Sequence, residues 1–463
     1  MSESSKMSKT DIIKWSVVIA LGLICFLIPS TGWYADGIKN FVIITVVCLA
    51  IAAMELLPVA QIGLMLPVLY LVCKVAPVTV IMSPWSGGIT MLMIIGGFLL
   101  AAIMEGSGVL TRLAYFLMAK VKGSYAKLLV AIYLVSVILS ILMFGGGSYM
   151  IMGPLCVGLC MALGAMRTKM GAGIAFACML GTCSSHSFMY TATSYAIIKG
   201  AAAGLVDHVQ FDLISILIHN LPTIFMMLLI LFITVKWYKP DQEMGDTDYF
   251  KAKLAELGPM KPLEIRAGIV LALVFLFMFT SKFHGYPMEY GLFAIPLLAW
   301  LPGFNAADAS TFKRVNWDMI FFGAGCISIG TVATHLGLGN ILAEYCIGFF
   351  EGGSITKVFF TIFVVIFGLN FVMTPTAIWA LISAPILTLT AQIGIEPLPV
   401  MYFLVSMSEA IILPYEYLPY LIVYAFGMMS MKDFIKLNAM RCVLFVLGIM
   451  FLLIPWWQIV GIL

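Results

Sequence analysis

Two long apolar runs in this chain are broken in the middle by residues that do not continue a helix. The breaks are Gly145-Gly146-Gly147-Ser148 and Thr374-Pro375-Thr376-Ala377. No other feature constrains the fold as strongly. A bilayer core holds no water to bond a free N–H or C=O, so irregular backbone there is tolerated only inside protein or around a cavity. Composition places the runs in a bilayer: 62% of residues are hydrophobic and 10% are charged, against about 25% charged in soluble domains. Apolar stretches repeatedly approach the ~20 residues needed to cross. A matched pair of breaks, one in each half of such a chain, points to a transporter's binding site. The expected class is an all-α polytopic membrane protein.

Charge placement sets the expected orientation. Basic residues gather at 112–127, 167–169, 236–239, 251–266 and 313–314, whereas 207–212 and 344–351 are acidic or neutral. By the positive-inside rule the basic set is cytoplasmic. Lys6, Lys9 and Lys14 put the N-terminus with it. Tracing the spans from there leaves the C-terminus outside after an odd number of crossings. Residues 1–11 carry no small-residue cleavage site, so 12–29 is expected to be a retained helix. The setting implied is a bacterial cytoplasmic membrane. A net charge of +3 gives no reason to expect a nucleic-acid partner. Cys156 and Cys160, one helical turn apart without His or acidic neighbours, are expected to pack rather than to bind metal.

Further spans are expected at 38–57, 60–75 and 85–104, then an interfacial helix at 109–122. Apolar arms 125–143 and 148–165 have basic residues at both outer ends. That pattern predicts a re-entrant hairpin (125–165) with the glycine break at its tip. An interrupted span at 171–202 and a long helix at 212–237 follow, and 238–264 is a polar cytoplasmic linker. The second half repeats the order with spans 265–282, 287–302 and 317–334, an arm at 336–352 and a hairpin at 356–394. An interrupted span at 398–429 and a last helix at 435–461 complete it. The expected organisation is an N-terminal helix (1–37), a first repeat (38–237, scaffold 38–75), the linker, and a second repeat (265–463, scaffold 265–302). At the offset that lays Gly145 on Thr374, Gly96 falls on Gly325 and Gly108 on Gly337. The first arm is basic and the second carries Glu344 and Glu351, so the repeats are inverted. The total is about 11 transmembrane helices, two re-entrant hairpins and two interfacial arm helices.

Several segments carry a family resemblance. They are Phe98-Leu99-Leu100-Ala101 through Glu105-Gly106-Ser107-Gly108 with Arg112, Asn316-Trp317-Asp318 through Gly337-Leu338-Gly339, Leu413-Pro414 through Pro419, and Lys432-Asp433-Phe434. With the order of elements, they make the chain resemble the divalent anion:sodium symporter family of the ion transporter superfamily, over nearly its whole length. The resemblance implies a secondary transporter of small di- or tricarboxylates with an elevator mechanism, a homodimer, and Na+ or H+ as coupling ion with no other cofactor. In that family each tip carries Ser-Asn-Thr, and the tips bind substrate carboxylates. The matching positions here are Gly145, Gly146, Gly147 and Ser148, and Thr374, Pro375 and Thr376. Both asparagines are absent.

Each interrupted span in the family also unwinds at a Thr-Pro-Pro-Asn stretch beside a cation site. Here the first contains His186, Thr191 and Thr193 among many hydroxyls, and the second reads Leu413-Pro414-Tyr415-Glu416-Tyr417. Hydroxyl and carbonyl oxygens suit a hard monovalent cation. Glu416 falls on Ser187 at the repeat offset, next to His186. An ionisable residue inside a span usually marks a pathway or a proton relay. Glu416 and His186 are therefore candidates for coupling, with Glu409 able to share the role. Glu55, Glu105 and His335, near membrane ends, read as structural. No Lys or Arg occurs from 128 to 166 or from 358 to 431, so the binding core is expected to lack a permanent cation. A proton-coupled carrier of a monoanion, zwitterion or neutral solute using Glu416 is the alternative. A membrane enzyme built on His186, and a channel, are more remote ones.

Overall fold

The chain folds into helices because its apolar runs can satisfy their own backbone only that way in lipid. A computed structural model describes residues 9–30, 32, 34, 36–54, 56–86, 90–120, 124–143, 147–206, 208–240, 249–338, 341, 354–371, 374–407 and 410–463. There is no strand among the described residues. Five described helices are long and apolar enough to cross a membrane, or seven if two bent pairs each count as one span. Other expected spans are present as shorter apolar helices, such as Val59–Val72 and Tyr290–Trp300. In the second of these Pro296 removes a ladder N–H and the chain continues from 295 to 300 as a tighter 3-10 helix. Outward faces stay apolar, as Phe225, Leu229 and Phe232 show. This is a multi-pass membrane protein. Glu55, Glu344, Glu351 and most of the expected arm at 336–352 lie outside the described residues.

The described chain forms two compact units, each drawn from both halves of the sequence. The first comprises Met1–Met91, Ala196–Val209 and Asn316–Leu404. Its centre is the pairing of Val59–Val72 with Trp317–His335. A Cβ on Gly325 would lie 2.6 Å from Gly63 Cα, and one on Gly63 would lie 2.6 Å from Phe322 Cα. Only glycine permits two helices so close. Ser328 Oγ donates to Ile81 C=O at 2.9 Å and Thr331 Oγ1 to Val80 C=O at 3.2 Å. These bonds satisfy carbonyls that the four-residue helix Val78–Ile81 leaves open. This unit holds the second hairpin, arms Ile355–Asn370 and Pro375–Gln392.

The second unit comprises Leu92–Tyr195, Gln210–Val315 and Val405–Leu463. Here the expected interfacial helix is Val109–Met118, bent 66° from the preceding span at Gly108, whose φ is +78. It buries Leu110, Ala114 and Met118, one stripe four residues apart. Arg112 on this helix joins three segments. Its Nε donates to Glu264 at 2.9 Å, and its Nη atoms donate to the carbonyls of Gly258 (2.7 Å), Leu257 (3.3 Å) and Pro259 (3.2 Å). The expected linker is thus partly ordered, as helix Tyr249–Glu256 packed on Val109–Met118. The first hairpin has arms Tyr125–Leu142 and Ser148–Ala162. Cys156 and Cys160 are fully buried in its second arm.

One expected helix is corrected. The run 212–237 is not continuous but bends 59° between Leu213–His219 and Leu221–Trp237. Pro222 has no N–H for Ile218 C=O, which accepts instead from Trp456 Nε1 at 2.8 Å. Thr223 N–H turns to Asn220 C=O at 3.0 Å, and the released His219 C=O accepts from Trp457 Nε1 at 3.0 Å. The last helix, Met431–Gly448, continues through a π segment at Ile449–Leu453 just before Pro455. At the centre of the first unit, Gly63→Ala should destabilise the purified protein. Overpacking against backbone costs about 3 kcal/mol and exceeds the ~1 kcal/mol gain in helix propensity. A lowered thermal midpoint in detergent is the check, and an unchanged midpoint would contradict the close helix contact.

Candidate functional site

The second unit gathers the first hairpin and both helix breaks around one helix, Lys169–Ser184. That helix packs on both hairpin arms and on Leu418–Ala425, and the arm Ser148–Ala162 also touches Leu418–Ala425. Small residues make this possible. A Cβ on Gly181 would collide with Ser136 and lie 2.6 Å from Tyr133 C=O. Of the tip glycines, Gly145 and Gly146 lie outside the described residues. Gly147 has φ +84, a left-handed geometry that starts the second arm. Ser148 occupies the first turn of that arm, where helix N–H groups have no intrahelical acceptor.

The first interrupted span unwinds where the hydroxyls cluster. Lys169–Ser184 gives way to a 3-10 turn, Ser185–Ser187, and helix resumes at Ala192–Ala201. Ser185 Oγ donates to Ser140 Oγ at 2.6 Å, and Ser140 donates to Thr182 C=O at 3.0 Å. That chain occupies carbonyl and hydroxyl groups at the edge of the break. His186 is buried in the turn. Thr191 C=O accepts from Tyr195 N–H at 3.2 Å, opening the next helix, and Thr193 is half-buried in its first turn.

Not every buried hydroxyl is used in this way. Ser148 Oγ, Tyr190 OH and Thr191 Oγ1 have no hydrogen-bond partner among the described residues. Ser148 is 1% exposed and Thr191 is 3% exposed, so bulk water does not solvate them. Leaving such a group unsatisfied costs about 1–3 kcal/mol. Native proteins pair nearly all their buried polar atoms, and exceptions call for a reason.

The second interrupted span breaks between Pro397–Met407 and Leu418–Ala425, with a 3-10 turn at Pro414–Glu416. Glu409 lies outside the described residues. Both carboxylate oxygens of Glu416 are engaged by the break: Ile412 N–H donates to Oε2 at 3.1 Å and Leu413 N–H to Oε1 at 3.0 Å. The residue supplies acceptors that the lost helix ladder would have supplied.

A permanent cation does reach the second break, from outside the two stretches that lack Lys and Arg. Arg441, buried in the last long helix, donates to Tyr420 OH and to Ile411 C=O at 3.4 Å. Windows of sequence around the break contain no Lys or Arg because the cation arrives from a helix that begins after it. An arginine in the middle of an apolar helix was itself a signal.

In the first unit, the second tip is built by Thr374, which precedes its helix with φ -74 and ψ 155, and by Pro375 at the first helical position. Proline fits there because that N–H would be unpaired in any case. Thr374 Oγ1 is buried without a hydrogen-bond partner among the described residues, and Thr376 is buried at the second helical position. Every described tip residue therefore sits at a helix N-terminus. Glu416→Ala should strand two amides and destabilise the protein by about 3–6 kcal/mol, since bonds to a charged acceptor contribute ~1.5–3 kcal/mol each. Glu416→Gln, which retains one acceptor, should lose about half as much in the same thermal unfolding measurement.

Comparison with known proteins follows the same lines. The citrate transporter family model matches residues 17–407. A sodium-dependent dicarboxylate transporter of Staphylococcus saprophyticus is 24% identical over 500 residues, spanning 98% of this chain and 94% of that protein. An L-tartrate/succinate antiporter of Escherichia coli is 22% identical over 250 residues, about half of each chain (51% and 50%). The crystal structure of the Alcanivorax borkumensis YdaH transporter, described as having an unusual topology, superposes with a TM-score of 0.57 at 16% identity. The match covers 83% of this chain and 88% of that one.

Proposed function

This chain belongs to the citrate transporter family, and on that premise we propose that it is a secondary active carrier of small di- or tricarboxylates. Family and relatives are transporters and not enzymes. One observation carries the assignment of the site: buried hydroxyls without protein partners stand where apolar helices start or break. Ser148 and Thr191 do so in one unit and Thr374 in the other. Such a group remains unsatisfied in the empty protein and becomes satisfied on binding.

Chemistry assigns the roles. In the second unit Ser148 offers its hydroxyl and Gly147 its N–H to a substrate carboxylate, and in the first unit Thr374 and Thr376 offer their hydroxyls. The partial positive charge of the helix N-termini adds to this. Pro375 holds the second tip without competing for the anion. A coupling cation takes hydroxyl and carbonyl oxygens, with Thr191 and Thr193 as ligands. The sodium dependence of the staphylococcal relative supports Na+ in this position. Glu416 is assigned to holding the break rather than to carrying a proton, because both its oxygens accept backbone amides. His186 lines the first break, with Thr191, and tunes the cation's surroundings. Two inverted repeats, an elevator movement of the hairpins, a homodimer, and a cytoplasmic N-terminus with an external C-terminus complete the proposal.

The test is uptake of labelled citrate, succinate and tartrate into proteoliposomes under an imposed Na+ gradient, a pH gradient, or internal unlabelled substrate. Saturable Na+-driven uptake is expected. Uptake that needs internal substrate would assign exchange, and no saturable flux of any carboxylate would overturn the reading. Thr191→Val sharpens it through opposite effects. Removing an unsatisfied hydroxyl should raise stability of the substrate-free protein by about 1 kcal/mol. Uptake at limiting Na+ should fall about tenfold, the equivalent of ~1.4 kcal/mol. A variant that is both less stable and fully active would refute a ligand role for Thr191.

A further inference from the structure

Arg441 lies roughly 15 Å along its helix from Met431, at 1.5 Å per residue, inside the span Met431–Ile459. A charge at that depth is retained only with partners. Its partners lie on the two sides of a single gap. Ile411 C=O belongs to the segment leaving Pro397–Met407, and Tyr420 is in the first turn of Leu418–Ala425. The guanidinium carbon stands 4.9 Å from the centre of the Tyr420 ring, so the plane of charge also rests on an aromatic face. Glu416 acts from inside the same gap, on Ile412 and Leu413. Three consecutive backbone groups, Ile411 C=O, Ile412 N–H and Leu413 N–H, are therefore held by two opposite charges.

We propose that Arg441 is the positioning residue of the second helix break. It fixes Ile411 against the first turn of Leu418–Ala425, and with it the direction in which the remaining backbone groups of the break are presented to ligand. Arginine suits the task because its planar fork donates in two directions at once and cannot deprotonate. Lysine, a single point of charge, can hold one side only. Glu416 lies in the same gap, with both side-chain oxygens taken by the N–H groups of Ile412 and Leu413. The proposal rests on the reading of this break as part of the transport site only for its effect on uptake. The clamp itself is tested without transport.

Hydrogen exchange of the intact protein reads the clamp directly. Arg441→Met should speed exchange at residues 411–420 by about tenfold or more, with residues of the first unit unchanged. Arg441→Lys should fall between the two. Adding Glu416→Gln to Arg441→Met removes the uncompensated carboxylate, and should restore the yield of folded protein without restoring slow exchange. In proteoliposomes, Arg441→Lys should raise the apparent KM for the coupling cation about threefold or more, with maximal uptake per folded molecule within about twofold of the parent. Unchanged exchange at 411–420 in Arg441→Met would overturn the clamp. Accelerated exchange with unchanged KM would reduce Arg441 to a structural residue. Failure of the parent protein to transport any carboxylate would overturn the transport assignment, while the exchange result would still judge the clamp.

Discussion

The pairing of backbone groups away from water is the constraint on which everything else in this molecule depends. A continuous helix pairs its own N–H and C=O groups, and each departure from helix must find substitutes nearby. The substitutes are identifiable. Trp456 and Trp457 serve the carbonyls freed by Pro222, Ser328 and Thr331 serve a four-residue helix, and Ser140 serves Thr182. Glu416 and Arg441 do so for the second break with full charges in place of dipoles.

Against that background the unserved groups stand apart. Most departures from helix are closed by a side chain whose purpose is local. Ser148, Thr191 and Thr374 have hydroxyls that close nothing among the described residues. Under the proposed function these three are the groups a ligand would satisfy. Stability and function are in competition at these few positions, as expected where a site must stay open.

The sequence was most legible where local chemistry contradicts its surroundings. Glycine, proline and hydroxyl clusters inside apolar runs located both tips and both breaks. What stayed hidden depends on partners distant in sequence. The bend at Asn220 could be suspected from Pro222, but the indoles that make it affordable lie more than two hundred positions away. Arg441 was not legible as a partner of the break because it lies on a helix that begins after it in the chain. The division into units could not be read either, because no composition change marks residues 196–209 as belonging with 316–404.

The glycine contact between Val59–Val72 and Trp317–His335 carries a consequence for biosynthesis. The first of these helices enters the membrane early, with Gly63 exposing a backbone groove that Phe321, Phe322 and Gly325 fill. Until those residues have emerged from the ribosome, the groove faces lipid or a temporary neighbour. The first unit cannot close before its last segment, up to Leu404, has been inserted. Long-range pairing of this kind delays folding and prolongs exposure of unfinished surfaces. A chain truncated just short of Trp317 would be left with an orphaned helix, a natural mark for membrane quality control.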